Sequence, residues 1–264
     1  MTTNAQPGPA MTFAELHAGP HPLLLPNAWD IASALAYVDA GFAAVGTTSF
    51  GVNGSLGQPD GASSSRNATR ELVMRIRSLP VHVTADIEDG YSDDASEVAA
   101  YVEDLGVAGV NLEDSRNGGL VEPSAVAAKV TAIKRTVPNL FVNARVDTYW
   151  FHIEDSPEAT IDRAMVYVDA GADGIFVPGA AEARLLERLA RSIPVPVNVL
   201  ASPDLTLEQL GELGIRRVST GSLPFRAAID AAVHVAEVIR EGGTAPSATS
   251  YADMQRRFEE FAGR

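Results

Sequence analysis

The chain has 264 residues, of which 46% are hydrophobic and 20% charged, so it holds enough apolar content for one large core and too much for disorder. Its formal charge of −14 argues against nucleic acid and anionic membranes as partners, and the absence of cysteine excludes disulfides, thiolate metal sites and a cysteine nucleophile or general acid. No stretch approaches the ~20 apolar residues of a membrane span or has the layout of a signal peptide, which leaves the cytoplasm as the expected compartment.

In chain order, residues 1–10 are polar and proline-containing and read as a loose tail. Eight short apolar runs follow, at 23–25, 43–47, 81–85, 109–112, 140–144, 174–177, 195–200 and 218–221. They read as near-continuously apolar, as parallel strands covered on both faces do. Between them lie stretches of helical period at 30–40, 66–78, 95–105, 124–136, 157–170, 180–192, 207–213 and 225–240. Gly41, Gly106 and Gly171 stand where helix C-termini need them, and Ser156-Pro157 supplies an N-cap followed by proline. Eight strand–helix alternations predict a (β/α)8 TIM barrel forming one domain over 1–264. An open doubly wound sheet is the weaker alternative, because no G-x-G-x-x-G follows the first strand. Beyond the eighth unit, Gly242-Gly243 breaks the pattern and a last helix over 249–264 carries Tyr251, Met254, Phe258 and Phe261 on one face. That stripe lies outside a completed barrel and needs a surface to cover it, such as a neighbouring subunit.

Barrel enzymes place their chemistry at the C-terminal strand ends. That rule gathers Asp86, Glu88 and Asp89 after the third strand, Glu113 and Asp114 after the fourth, and Arg145 and Asp147 after the fifth. Alternation along a strand gives Asp86 and Glu88 one orientation and Arg145 and Asp147 another, while Glu113 and Asp114 must divide between two. So many ionised carboxylates need a cation between them. Hard oxygen ligands with an arginine alongside describe a divalent metal and an anionic substrate.

These residues resemble the isocitrate lyase/phosphoenolpyruvate mutase superfamily. The markers run through most of the chain: Asn27-Ala28-Trp29-Asp30, Gly46-Thr47-Thr48, Leu56-Gly57-Gln58-Pro59-Asp60, Asp86-Ile87-Glu88-Asp89-Gly90-Tyr91, Leu112-Glu113-Asp114 and Asn143-Ala144-Arg145. The resemblance implies Mg2+ (or Mn2+) held mainly by Asp86, with Asp60, Glu88 and Glu113 acting largely through water. It implies a substrate carboxylate held by Arg145 and the backbone at Gly46 and Thr47, with Asn27, Trp29 and Thr48 beside them. It further implies a small 2-oxo or 2-hydroxy acid cleaved to a Mg2+-stabilised enolate, and a homodimer or homotetramer that exchanges its last helix.

Two departures narrow the activity. Glu88 replaces the aspartate usual in the family's Asp-x-Asp-x-Gly-Tyr. The Lys-Lys/Arg-Cys-Gly-His loop of the isocitrate and methylisocitrate lyases is replaced by Ser115-Arg116-Asn117-Gly118-Gly119-Leu120, which has no Cys, His or Lys. Those two activities are therefore not expected, and phosphonopyruvate mutase or hydrolase chemistry becomes the alternative. A decarboxylase or carbon–carbon lyase is preferred, with Arg145, Glu88, Tyr91 and Asp60 as the catalytic candidates and Asp89 as another base. A barrel that binds an oxo acid without turnover is the rival of another class. His152 reads as an acid/base candidate or loop packing, His82 as structural, and Thr220-Gly221-Ser222 as a possible phosphate turn. Lys129 and Lys134, the only lysines, fall on a helix, which argues against Schiff-base chemistry.

Overall fold

The structure is a computed structural model that describes residues 11–61 and 64–263; the expected tail over 1–10 lies outside them. Its strands are β1 (Leu23–Leu25), β2 (Asn27–Ala28), β3 (Ala44–Thr47), β4 (His82–Asp86), β5 (Gly109–Glu113), β6 (Ser115–Arg116), β7 (Gly119–Leu120), β8 (Phe141–Arg145), β9 (Gly174–Phe176), β10 (Val197–Leu200) and β11 (Arg217–Ser219). All pairings are parallel except the β6–β7 hairpin, and the large sheet runs β1-β11-β10-β9-β8-β5-β4-β3-β2. The first predicted strand is thus two half-strands: β1 pairs with β11 through Leu23 and Arg217, and β2 pairs with β3 through Asn27 and Gly46. Pro26 separates them, since it has no N–H for a ladder, and its carbonyl accepts from Gly46 N at 2.9 Å. The two halves close the sheet into a barrel.

The helices are α1 (Ile31–Asp39), α2 (Ser49–Ser55), α3 (Arg66–Ile76), α4 (Ala95–Leu105), α5 (Pro123–Thr136), α6 (Thr148–Phe151), α7 (Pro157–Asp169), α8 (Ala183–Ser192), α9 (Leu207–Glu212), α10 (Leu223–Arg240) and α11 (Tyr251–Ala262). Local chemistry sets their ends. Asp30 and Ser33 form a capping box on α1, Ser156 caps α7 ahead of Pro157, and Gly106 ends α4 at φ +60. Two helices carry no periodic signal, α2 and α6. In α2 (Ser-Phe-Gly-Val-Asn-Gly-Ser) packing overrides a poor propensity: a Cβ on Gly51 would stand 2.8 Å from Trp29 Cβ, and one on Gly54 would stand 2.9 Å from the Phe225 ring.

The expectation of continuously apolar strands holds on one face only. Val83, Ala85, Val110, Leu112, Val142, Ala144, Ile175, Val199 and Val218 bury against the helices. The alternate residues Thr84, Asn111, Asn143, Asn198, Arg217 and Ser219 are also buried, and all but Thr84 hydrogen-bond one another in the barrel interior, which is polar. The N-terminal mouth is sealed by Phe13, Leu25, Ala44 and Phe141, with His17 of a short 3-10 turn stacked on Phe141 at 4.2 Å. His17 donates from Nδ1 to Phe13 O at 2.8 Å.

At the other end of the chain, α11 rests on α1 through Arg257 and Asp39 (2.5 Å), and Phe261 joins the core cluster there. Uncovered apolar side chains at this end include Tyr251 and Phe258 of the predicted α11 stripe and, on α10, where only Phe225 is buried, Leu223, Ile229, Val233 and Ile239.

Burial, and then the charge of Arg217, push the His17 imidazole down from 6.5 to about 4. The neutral form is therefore the folded form, and its contribution to stability is complete above pH 6.5 and lost as the pH falls toward about 4. His17→Leu should flatten that part of the pH–stability curve, measured as the wild-type minus variant difference in urea unfolding between pH 7 and 4. An unchanged slope would refute the assignment.

Candidate active site

A cavity of about 890 Å3 opens at the C-terminal end of the barrel. Asp60, Asp86, Glu88, Asp89 and Glu113 line it together with Arg116 and Arg145. Strand geometry delivers most of this set, and loop residues hold it in place.

Asp86, the last residue of β4, is almost fully buried. Its N–H donates to Thr47 Oγ1 at 2.9 Å, and its Oδ2 accepts from Ser49 N at 3.0 Å, in the first turn of α2. Oδ1 is buried with no hydrogen-bond partner. Burial raises the Asp86 pKa, and Arg145 pulls the other way. A buried carboxylate oxygen left unsatisfied at a cavity wall suits a bound cation.

Glu88 leaves the strand at φ +48 and its Oε1 accepts from Ser65 N (3.2 Å) and Ser65 Oγ (2.5 Å). The same hydroxyl lies 2.8 Å from the Tyr91 hydroxyl. Tyr91 packs edge-on against Tyr101 at 5.3 Å and does not line the cavity; burial pushes its phenol well above its ordinary pKa. Asp89 pairs with Arg116, and its backbone carbonyl accepts from the buried Lys129 Nζ at 2.7 Å. Asp60 is exposed on the cavity rim.

On β5 and β8, Glu113 and Asp114 point to opposite sides, as alternation requires. Glu113 faces Arg145 Nη1 in the cavity. Asp114 turns behind it and accepts from Arg163 Nε, the Tyr167 hydroxyl and Asp147 N, each at 2.8 Å. Arg145 also forks onto Asp147, with Nε to Oδ1 at 2.7 Å and Nη2 to Oδ2 at 3.2 Å. Its Cζ lies 6.0 Å from the Trp150 ring and 5.8 Å from that of Phe176. Burial works against its charge, but Asp147, Glu113 and Asp86 outweigh that and raise its pKa. Glu113 is driven well above its ordinary value by burial, with Arg145 opposing.

Among the described residues no group of three or more His, Asp or Glu side chains converges into a metal cage. Mg2+ does not need one: it keeps several waters and takes one or two carboxylates directly. The free Oδ1 of Asp86, with Glu88, Glu113 and Asp60 around the same cavity, fits an ion held in that manner.

The remaining expected binding residues divide. Asn27 and Thr48 line the cavity; Gly46, Thr47 and Trp29 do not. Gly46 N–H is committed to Pro26 O and so is not an anion donor, and Thr47 holds Asp86 through its hydroxyl and Asn27 Nδ2 through its carbonyl (2.8 Å). Trp29 packs behind, 5.5 Å from Phe225. Asn27 Oδ1 takes the Gly221 N–H at 3.0 Å and the Thr220 hydroxyl at 3.2 Å, so those two donors are spent inside the protein. His152 is exposed beside Asp155, outside the cavity, and His82 Nε2 meets Met11 O at 2.7 Å.

The short segment after β5 is a pinned hairpin. Ser115 Oγ donates to Asp147, Arg116 pairs with Asp89 and with Asp93 (2.7 Å), Val121 N reaches Asp114 O at 2.9 Å, and Arg163 Nη2 holds Val121 O at 2.6 Å. Ser49, Ser65, Ser115 and Trp150 are site residues that the strand-end rule does not find, since they come from a loop, a two-residue hairpin strand and helices of only one or two turns.

Over residues 13–240 the chain matches the phosphoenolpyruvate phosphomutase family. An uncharacterized protein of Mycobacterium tuberculosis is 49% identical over 254 residues, covering 96% of this chain and 98% of that one. The 2-methylisocitrate lyase of Escherichia coli is 30% identical over 276 residues (96% and 91% of the two chains), and the oxaloacetate decarboxylase of Rhodopseudomonas palustris is 30% identical over 217 residues (76% and 74%). The crystal structure of phosphoenolpyruvate phosphomutase from Streptomyces platensis subsp. rosaceus, 22% identical, shares the fold with a TM-score of 0.81 and covers 94% of this chain and 95% of that one. A barrel with acids and an arginine at its C-terminal mouth, matched over this span, defines the class. The chain belongs to the isocitrate lyase/phosphoenolpyruvate mutase superfamily.

The Asp114–Arg163 pair is buried beneath the site, with Arg163 contacting both the hairpin and the acid that positions Asp147. Arg163→Met leaves that acid short of its cation and should cost about 3 kcal/mol in urea unfolding. A loss under about 1 kcal/mol would show that Tyr167 and the Asp147 N–H suffice.

Proposed function

We propose that this chain is a Mg2+-dependent (or Mn2+-dependent) decarboxylase or carbon–carbon lyase acting on a small 2-oxo or 2-hydroxy (di)carboxylic acid. The observation that carries it is the pairing, in one cavity, of the unsatisfied Asp86 oxygen with the Arg145 guanidinium. When bound, the ion supplies Lewis-acid stabilisation of negative charge developing on the substrate's 2-oxygen. Asp86 holds it, with Glu88, Glu113 and Asp60 around it. Three N–H groups of Arg145 are engaged by Glu113 and Asp147, which fixes the guanidinium plane and orients the donors that remain for a substrate carboxylate. Trp150 and Phe176 flank that cation and limit water around it. Glu88 meets Ser65, and Ser65 meets Tyr91, giving a proton-sharing chain that reaches the cavity at Glu88. Glu88 is the base for a hydroxyl proton if the substrate is a 2-hydroxy acid.

The hairpin supports a reaction that needs no loop-borne acid, since Ser115 and Arg116 are spent on Asp147 and Asp89. Decarboxylation meets that condition with water as the proton donor. The family match favours phosphonopyruvate-type P–C chemistry as the second reading. No helix among the described residues is long and apolar enough to cross a membrane. The exposed apolar face of α10 supports exchange of C-terminal helices in a homodimer or homotetramer.

The test is NMR of the protein with Mg2+ and oxaloacetate, alkyl-substituted malates or phosphonopyruvate, each against an EDTA control. The expected outcome is metal-dependent keto-acid formation above the metal-only background, abolished in Asp86→Ala and at least about 100-fold slower in Arg145→Lys. Phosphorus-shift changes would support the second reading, and oxalate binding without turnover would support a binding barrel. Ile229→Asp with Val233→Asp should lower the mass seen by light scattering; an unchanged mass refutes the exchange.

A further inference from the structure

Arg217 is the bulkiest side chain in the protein with no exposure, at 0%. It leaves β11 beside Asn198 and crosses the barrel interior to β5, on the opposite side of the sheet order. Nη2 donates to Asn111 Oδ1 at 3.1 Å and Nε to Ser219 Oγ at 3.3 Å, while Nη1 is buried with no partner. No carboxylate among the described residues forms an ion pair with it within 4.0 Å. Around it are amides and a hydroxyl: Asn111, which also takes Asn143 Nδ2 at 2.9 Å, and Ser219, which bonds Asn198. His17 is the titratable group on the other side, and its neutral form is the stable one.

A buried guanidinium with no ion pair carries a large desolvation penalty, which the nearby charge of Asp86 offsets only in part, and an apolar side chain of similar volume would avoid it. Burial pulls its pKa down to about 9, which still leaves the cation at neutral pH. Within the fold the charge is met only by two neutral hydrogen-bond acceptors and by the field of Asp86. The cavity lies above it: Asn111 and Ser219 both line the cavity, and Asn111 is the register partner of Asp86.

We propose that Arg217 is a positioning residue of the active site, a fixed positive charge beneath the cavity floor that draws the anionic substrate in and opposes the bare metal ion. This rests on the reading that the cavity takes a carboxylate together with a divalent cation. Its two effects have opposite signs. Loss of the charge weakens anion binding and tightens binding of the ion alone, whereas loss of a purely structural residue weakens both.

Calorimetry on the full chain separates the cases. Arg217→Met should bind Mn2+ alone several-fold more tightly than wild type and bind oxalate, at saturating Mg2+, at least about tenfold more weakly. Arg217→Lys, which keeps the charge, should stay within about threefold of wild type in both. Arg217→Met should melt no lower than wild type, because it removes an unpaired charge. Equal affinities in Arg217→Met, or a parallel loss of both, overturn the proposal. Arg217→Gln takes its place if the Met variant does not fold, and failure of both to fold makes the residue structural and overturns it too. Wild-type protein that binds neither Mn2+ nor oxalate removes the functional reading itself; wild-type binding with an indifferent variant removes only this one.

Discussion

The constraint that organises the molecule is a crowd of carboxylates at one end of a barrel in a chain that is acidic throughout. Every acid near the cavity has to be answered. Asp147 and Glu113 are answered by Arg145, Asp89 by Arg116, Asp114 by Arg163 and Tyr167, and Glu88 by Ser65. Asp86 has a backbone N–H on one oxygen and nothing on the other. Among the buried carboxylate oxygens of the described residues only Asp86 Oδ1 lacks a hydrogen-bond partner, at the end of the strand that the rest of the site surrounds. A site built to accept a cation shows this distribution, because a carboxylate fully satisfied by the protein would have no lone pairs left for it.

Holding these groups requires backbone that a relaxed chain avoids. Glu88 and Tyr91 sit at φ +48 and +63, with Gly90 between them at φ +90. Left-handed conformations at non-glycine residues cost about 1–3 kcal/mol each, and they persist where surrounding contacts over-determine them. Here the contacts are specific: Ser65 binds both Glu88 and Tyr91, Tyr91 N–H donates to Asp89, and Lys129 holds the Asp89 carbonyl. Gly90 cannot be larger, since a Cβ there would lie 2.8 Å from Val98 Cγ1. The strain turns Glu88 and Asp89 apart, so that one reaches Ser65 and the other Arg116.

Sequence pattern made the barrel legible because eight strand–helix units repeat one chemistry, and the strand-end rule then found Asp86, Glu113 and Arg145 without side-chain coordinates. It could choose no orientation for the pair Glu113 and Asp114, which only the position of Arg163 and Tyr167 on α7 decides. The loop serines stayed hidden because a serine has no period and no necessary partner in sequence. Strand polarity was misjudged for a related reason. Runs such as Val110-Asn111-Leu112 and Val142-Asn143-Ala144 look apolar with one blemish each, and the blemishes prove to be the inner wall. Arg217 carries no such signal either, since it stands just outside the apolar run at 218–221 that marks the strand.

The hairpin changes what kind of chemistry the scaffold can support. Where a loop is free to carry an acid into the cavity, the reaction can depend on protonating a poor leaving group. Here Ser115, Arg116 and Val121 are each tied to a residue that itself positions the site, so moving the hairpin would break the Asp89–Arg116 pair and loosen Asp147. Such motion costs energy in the same buried ion pairs that hold Arg145. On the proposed reading, selection of substrate then falls on cavity walls that are not so tied, Trp150 and Phe151 of α6 and Leu200 through Pro203. On the same reading, variation in those segments changes the substituent accepted on the acid while leaving the charge pattern around Asp86 and Arg145 intact.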